Sequence, residues 1–212
     1  MIWAMASEIA LPYYLSLPAA PGPWPGVVVI HEGNGMSPQL LRVCERLAGE
    51  GYAAIAPDLF FRVGGPGGAD IATMMGSVDD VQTPKDIEAA ADILQAAGAT
   101  KVGITGFCMG GQYSWHMAVT STRFSAAAGF YGARVSSLLQ EPNCPTLLFY
   151  GTNDEWVPMT EIEKVKAFHA DTFVYDGAEH GFMRDGSDNY DEAAATDAWA
   201  KVLAHFAEHL RH

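Results

Sequence analysis

Apolar positions along the chain follow two alternating patterns. Helical spacing begins at Ser37-Pro38, Thr83-Pro84, Gln112, Pro158 and Tyr190. Short continuous apolar runs, typical of strands covered on both faces, lie between these segments, at residues 26–30, 52–56, 101–105, 125–131, 145–150 and 172–175. The alternation predicts an α/β fold, with a mostly parallel sheet and helices on both faces.

Two further segments complete the predicted outline. Residues 8–17 form short strands around Pro12, and we expect them at a sheet edge because proline cannot donate to a strand ladder. Residues 60–82 are irregular and glycine-rich, which is typical of a lid or a binding loop. With no internal repeat or linker, residues 1–212 are assigned to a single domain.

The helical spacing also predicts where individual side chains lie. In the helix that Ser37 caps, the expected apolar face consists of Leu40, Leu41, Cys44, Leu47 and Ala48. Four histidines are expected within helices and are therefore poor candidates for chemistry: His116, His169, His205 and His209.

The loops after the predicted strands hold the candidate chemistry. Ligands of parallel sheets bind outside the carboxyl ends of the strands. We therefore expect one site where five loops meet: 31–35, 57–68, 106–111, 151–156 and 176–184.

Composition excludes several classes of function. The formal net charge of −13 argues against nucleic-acid partners and anionic membrane surfaces. The three cysteines, Cys44, Cys108 and Cys144, make a poor disulfide framework and suit a reducing compartment. No signal peptide, membrane-length apolar run or metal-binding motif is visible, so the sequence predicts a cytoplasmic protein without metal or cofactor.

The stretch Gly106-Phe107-Cys108-Met109-Gly110-Gly111 is typical of a sharp strand-to-helix turn with a nucleophile at its tip. A small buried thiol in a tight turn is the simpler alternative. A cysteine nucleophile needs a base, and His180 lies in a strand-end loop beside Gly181. Asp154 is the candidate that orients His180, although it also fits a turn or cap, and Asp58 is a competing acid.

The order nucleophile, acid, histidine is that of the α/β-hydrolase architecture. Acyl transfer also needs backbone N–H groups aimed at the developing oxyanion. Met109, at a helix N-terminus, supplies one such group, and Gly33 is the expected source of the second.

Together these segments resemble the dienelactone hydrolase family, which includes carboxymethylenebutenolidase. The resemblance covers about residues 8–210. It rests on the Cys108 turn and on His31-Glu32, Tyr52-Ala53-Ala54 with Pro57-Asp58-Leu59, Gly151 to Pro158, and Ala178-Glu179-His180-Gly181-Phe182 with Arg184.

The resemblance implies a Cys108–His180–Asp154 triad that hydrolyses an ester or lactone through an acyl-cysteine intermediate. It implies that Glu32 contacts the resting thiol and keeps it neutral, and that Arg184 pairs with a substrate carboxylate.

The chain also departs from the family pattern. Residues 63–84 lack the family's second carboxylate-binding arginine, which indicates a less anionic or larger ester. Trp156, Tyr131 and Phe182 are candidates for the pocket wall, with core packing as the alternative.

Two other functions stay open at this point. Cys108 also suits a thiol-based redox protein, although no resolving cysteine is evident nearby. A non-catalytic protein that binds small molecules on a hydrolase scaffold is the third possibility. The expected partner is a small-molecule ester or lactone, and the expected assembly is a monomer or a small homo-oligomer.

Overall fold

The fold is given by a computed structural model that describes residues 11–65 and 68–211. Residues 8–10 of the predicted edge strand, Pro66 and Gly67 of the irregular segment, and His212 lie outside the described residues. The strands are β1 (Tyr13–Ser16), β2 (Trp24–Ile30), β3 (Ala53–Pro57), β4 (Ala99–Phe107), β5 (Ala126–Phe130), β6 (Thr146–Gly151) and β7 (Thr172–Tyr175). The helices are α1 (Pro38–Gly49), α2 (Ile71–Ser77), α3 (Gln82–Ala96), α4 (Met109–Thr120), α5 (Met159–Phe168) and α6 (Glu192–Leu210), with short 3₁₀ helices at Phe61–Val63 and Val135–Ser137.

A seven-stranded sheet in the order β1-β3-β2-β4-β5-β6-β7 runs through the described residues. β1 pairs antiparallel with β3 at one edge, and every other neighbouring pair is parallel. The predicted α/β class, the mostly parallel sheet and the edge position near Pro12 are therefore confirmed. The assignment of residues 1–212 to one domain stays a prediction.

Two helical layers cover the sheet. On one face, α1 and α6 pack with apolar side chains of β2, β5 and β6. On the other face, α3 and α4 pack on the alternate residues of β2, β3 and β4, and α5 continues this layer. Burial on both faces explains why the central strands are continuous apolar runs. Among the described residues, no helix combines the length and apolarity that crossing a membrane requires.

Three details of the sequence interpretation need correction. The buried face of α1 includes Val43, whereas Leu41 is only partly buried. His169 is the residue that follows α5 rather than a residue within it. The irregular segment contains the helix α2, which begins after Asp70, and the Asp70 side chain accepts a hydrogen bond from the Thr73 N–H at 2.8 Å.

Helix α4 lies very close to the strands beneath it because glycines remove the intervening side chains. A Cβ atom on Gly111 would lie 2.2 Å from the carbonyl oxygen of Phe130. A Cβ atom on Gly110 would lie 2.2 Å from the carbonyl oxygen of Ile30. Real Cβ atoms do not approach a backbone oxygen so closely, so both positions require glycine.

We predict that Gly111→Ala lowers the free energy of unfolding by about 3 kcal/mol or more, because rigid backbone must move to admit one methyl group. Gly49→Ala is the control, since a Cβ atom there meets nothing within 4 Å. That variant should keep or slightly raise stability. Urea unfolding followed by circular dichroism measures both, and equal stability of the two variants would contradict the close-approach account.

Candidate active site

Cys108 occupies the turn between β4 and α4 in a strained backbone conformation. Its φ is 53° and its ψ is −113°, and such left-handed backbone costs a non-glycine residue about 1–3 kcal/mol. The Cys108 N–H donates to the Phe130 carbonyl at 3.0 Å, which ties the turn to β5. A Cβ atom on Gly106 would lie 2.4 Å from the Gly110 carbonyl oxygen, so only glycine fits beneath the turn. The thiol itself is partly exposed.

His180 lies in the loop after β7, and its ring contacts both Asp154 and Cys108. Nδ1 lies 3.0 Å from Oδ1 and 2.9 Å from Oδ2 of Asp154. The Cys108 thiol lies close enough to the ring to act on its pKa. Since Nδ1 faces the carboxylate, Nε2 is left for the thiol. The Asn189 amide donates to the His180 carbonyl at 2.8 Å and holds the loop.

The environment of His180 favours its protonated form. Burial acts to lower the pKa of the ring, but the hydrogen bond to Asp154 and the interactions with Cys108 and Asp154 outweigh it and raise the pKa to about 9. Asp154 is buried after β6, and its Oδ1 also accepts the N–H groups of Trp156 at 2.8 Å and Val157 at 2.9 Å. These donors hold the carboxylate in one orientation toward the histidine.

Glu32 follows β2 and is buried between two other predicted site residues. Its Oε1 accepts the Tyr131 hydroxyl at 3.1 Å, and its Oε2 accepts Nε and Nη2 of Arg184 at 3.1 and 2.8 Å. Among the hydrogen bonds of the described residues, none joins Glu32 to the Cys108 thiol. The Arg184 guanidinium is therefore already paired with a protein carboxylate.

Tyr131 links Glu32 to the histidine. Its ring centroid lies 4.8 Å from that of His180, and the residue has the positive φ of 39°. Complete burial, followed by the negative charge of Glu32, raises the pKa of Tyr131 well above its ordinary value. The hydroxyl therefore stays protonated and donates to Glu32.

The remaining predicted residues lie around this cluster. Met109 is the first residue of α4, so its N–H has no acceptor within the helix. Gly33 is in the loop after β2. The Trp156 ring centroid lies 6.0 Å from that of His180, but the side chain is 74% exposed. Phe182 is fully buried against other aromatic rings, so it packs in the core and not on the pocket wall.

The competing acid and the other cysteines lie elsewhere. Asp58 accepts the Phe60 N–H at 3.0 Å and serves as a turn residue. Burial raises the pKa of Cys44 to about 12 and that of Cys144 to about 11, so both thiols stay protonated at neutral pH. In the described part of the chain, no group of three or more His, Cys, Asp or Glu side chains is arranged to hold a metal ion.

His31 is a site residue to which the sequence reasoning gave no role. It is fully buried, its Nδ1 lies 2.7 Å from the Glu32 carbonyl oxygen, and its Nε2 accepts the Leu59 N–H at 3.1 Å. Burial lowers the pKa of His31, which keeps the ring neutral as this pair of bonds requires. The ring joins the loops after β2 and β3, and its position at the end of a buried strand was the available signal.

Known proteins are similar to this chain over nearly its whole length. A profile of the dienelactone hydrolase family matches residues 11–210. A proposed carboxymethylenebutenolidase of Salmonella typhimurium is 34% identical, over 93% of this chain and 82% of the relative. A second, from Escherichia coli K12, is 32% identical, over 94% of this chain and 83% of the relative. The crystal structure of a proposed dienelactone hydrolase from Klebsiella pneumoniae superposes with a TM-score of 0.85 at 33% identity, over 93% of each chain.

The raised pKa of His180 predicts a pH-dependent contribution to stability. Because the folded pKa of about 9 exceeds the ordinary 6.5, protonation stabilises the fold fully below 6.5, and that contribution is lost as pH rises through 9. The difference in free energy of unfolding between wild type and His180→Gln should therefore be larger at pH of about 6 than at about 10. Urea titrations at the two pH values measure it.

His116→Gln is the control for that experiment. Burial lowers the pKa of His116, so its contribution should not fall as the pH rises. If the His180→Gln difference is the same at both pH values, the interaction of the imidazolium with Asp154 and Cys108 is not as described.

Proposed function

The chain belongs to the dienelactone hydrolase family, and we propose that it cleaves a lactone or carboxylic ester through an acyl-cysteine intermediate on Cys108. As a member it is a carboxylic ester or lactone hydrolase with a small-molecule substrate. The observation that carries the proposal is the hydrogen-bonded pair of Asp154 and His180 beside Cys108, whose thiol lies at the tip of a strained turn.

In the proposed mechanism, the thiol proton passes to His180 Nε2, where the interaction of the ring with Asp154 stabilises it, and Sγ forms a bond to the carbonyl carbon. The N–H groups of Met109 and Gly33 hold the resulting oxyanion. When the tetrahedral intermediate collapses, the carbon–oxygen bond to the alcohol breaks and His180 returns its proton to that oxygen. Water, deprotonated by His180, then attacks the thioester, and the carboxylic acid and the thiol are released.

The two buried carboxylates have separate roles in this proposal. Asp154 holds the His180 ring and stabilises its protonated form, as the acid does in other nucleophile–histidine–acid sites. Glu32 lies on the other side of Tyr131 and holds Arg184. We propose that Glu32 restrains the resting thiol through its negative charge, since a nearby carboxylate disfavours a thiolate.

The alternatives left open by the sequence receive less support. A redox mechanism would use a second thiol, but Cys44 and Cys144 are both buried in apolar clusters. A non-catalytic binding protein would not need a histidine held between a carboxylate and a thiol. A cytoplasmic location, the absence of nucleic-acid partners and assembly as a monomer or small homo-oligomer stay predictions.

We predict that Cys108→Ala lowers kcat on aryl esters by at least ~10³-fold, because the covalent route is lost. Cys144→Ala is the matched control, since it removes a buried thiol and should keep kcat within about twofold. Steady-state kinetics with para-nitrophenyl esters measure both variants. A Cys108→Ala enzyme with a tenth or more of wild-type kcat would exclude the acyl-cysteine route.

The role of Glu32 gives a second prediction. Glu32→Gln should raise the rate at which iodoacetamide alkylates Cys108 and lower kcat/KM by about tenfold, because a charge that restrains the thiol and holds Arg184 is removed. Glu179→Gln, an exposed carboxylate beside His180 in sequence, should change neither rate. Unchanged alkylation and unchanged hydrolysis in Glu32→Gln would show that Glu32 has no such role.

A further inference from the structure

Helix α2 places an apolar side chain against the loop that holds Gly33. A Cβ atom on Gly33 would lie 3.1 Å from Met75 Sδ and 3.7 Å from Met75 Cγ. The neighbouring Met74 is buried in the core and anchors the helix, while Met75 is 38% exposed. Because Gly33 is the proposed oxyanion donor, the Met75 thioether lies against the loop that is proposed to hold the reacting carbonyl.

Trp156 supplies an apolar surface at the acid–histidine end of the site. The indole is 74% exposed, although its ring centroid is only 6.0 Å from that of His180. The residue is fixed by its backbone, because the Trp156 N–H donates to Asp154 at 2.8 Å. When an apolar ligand covers a large exposed apolar side chain beside a reactive histidine, the free energy of the complex is lowered.

The charges around the same edge of the sheet oppose an anionic ligand. Each arginine in the loops after the strands already faces a carboxylate, in the pairs Arg62–Asp86, Arg134–Asp80 and Arg184–Glu32. Residues 68–84 contain no lysine or arginine and carry three aspartates, Asp70, Asp79 and Asp80. A substrate carboxylate must therefore share one of these arginines with a protein carboxylate or stay without a cationic partner, and both cost free energy.

We propose that the substrate is an uncharged ester or lactone whose apolar group lies between Met75 and Trp156, and that substrates bearing a carboxylate are poor. This inference rests on the proposed function, because it takes Gly33 and His180 as the groups around the reacting carbonyl. Met75 and Trp156 then determine specificity without taking part in the chemistry.

The experiment compares two esters of matched length, para-nitrophenyl pentanoate and the para-nitrophenyl hemiester of glutarate. Wild type should prefer the pentanoate by about tenfold or more in kcat/KM. Met75→Lys places a cation beside Gly33 and should shift this ratio at least about tenfold toward the hemiester. Thr73→Lys adds the same charge to the same helix two residues away, about 200° around the helix axis, and should shift the ratio less than about twofold.

Trp156→Ala tests the proposed contact between the indole and the apolar group of the substrate. It leaves the hydrogen bond from the backbone N–H of residue 156 to Asp154 in place. It should lower kcat/KM for the pentanoate about fivefold and act mainly on KM. Phe168→Ala, an exposed aromatic residue at the far end of α5, is the matched control and should have no effect.

The outcomes separate this inference from the function on which it rests. If wild type hydrolyses the hemiester as well as the pentanoate, while Cys108→Ala is inactive on both, the substrate inference is wrong and the acyl-cysteine mechanism stands. If Cys108→Ala stays active, the mechanism itself is wrong. Should Met75→Lys fail to fold, the wild-type ratio of the two esters still decides the question.

Discussion

The left-handed backbone of Cys108 is the constraint on which the site depends. Residues other than glycine avoid this conformation unless the surrounding structure enforces it. Here a hydrogen bond to β5 at 3.0 Å and two glycines packed onto neighbouring strand ends enforce it. The same close packing directs the thiol outward and leaves the first N–H group of α4 beside it. The nucleophile and one oxyanion donor are thus positioned by a single feature of the backbone.

One loop then supplies the cationic partners of two buried carboxylates. His180 and Arg184 both follow β7, on either side of Gly181 with its φ of 83°. The histidine pairs with Asp154, and the arginine pairs with Glu32. Tyr131 lies between the pairs, in contact with Glu32 and with the His180 ring. Two carboxylates in one site thereby acquire different functions, because each has its own partner.

Most of the sheet and its covering helices could be predicted from the sequence, because burial on both faces leaves long apolar runs and clear helical spacing. Their positions in loops after strands, together with their order along the chain, brought Cys108, Asp154 and His180 into one hypothesis. Helix α2 was not predicted, since seven residues without a repeating apolar pattern give no signal, and its cap and the buried Met74 hold it. The ion pair between Glu32 and Arg184 joins residues 152 positions apart, and no local sequence pattern predicts such a contact.

The covalent intermediate is the central claim, and mass spectrometry of the quenched enzyme tests it most directly. Wild type mixed with an excess of para-nitrophenyl pentanoate and quenched in acid should carry one pentanoyl group, mapped by peptide digestion to Cys108. Replacing His180 with alanine should leave the adduct undetected at the same mixing time. A pentanoyl group on any other residue, or turnover with no adduct at Cys108 at any mixing time, would contradict the account.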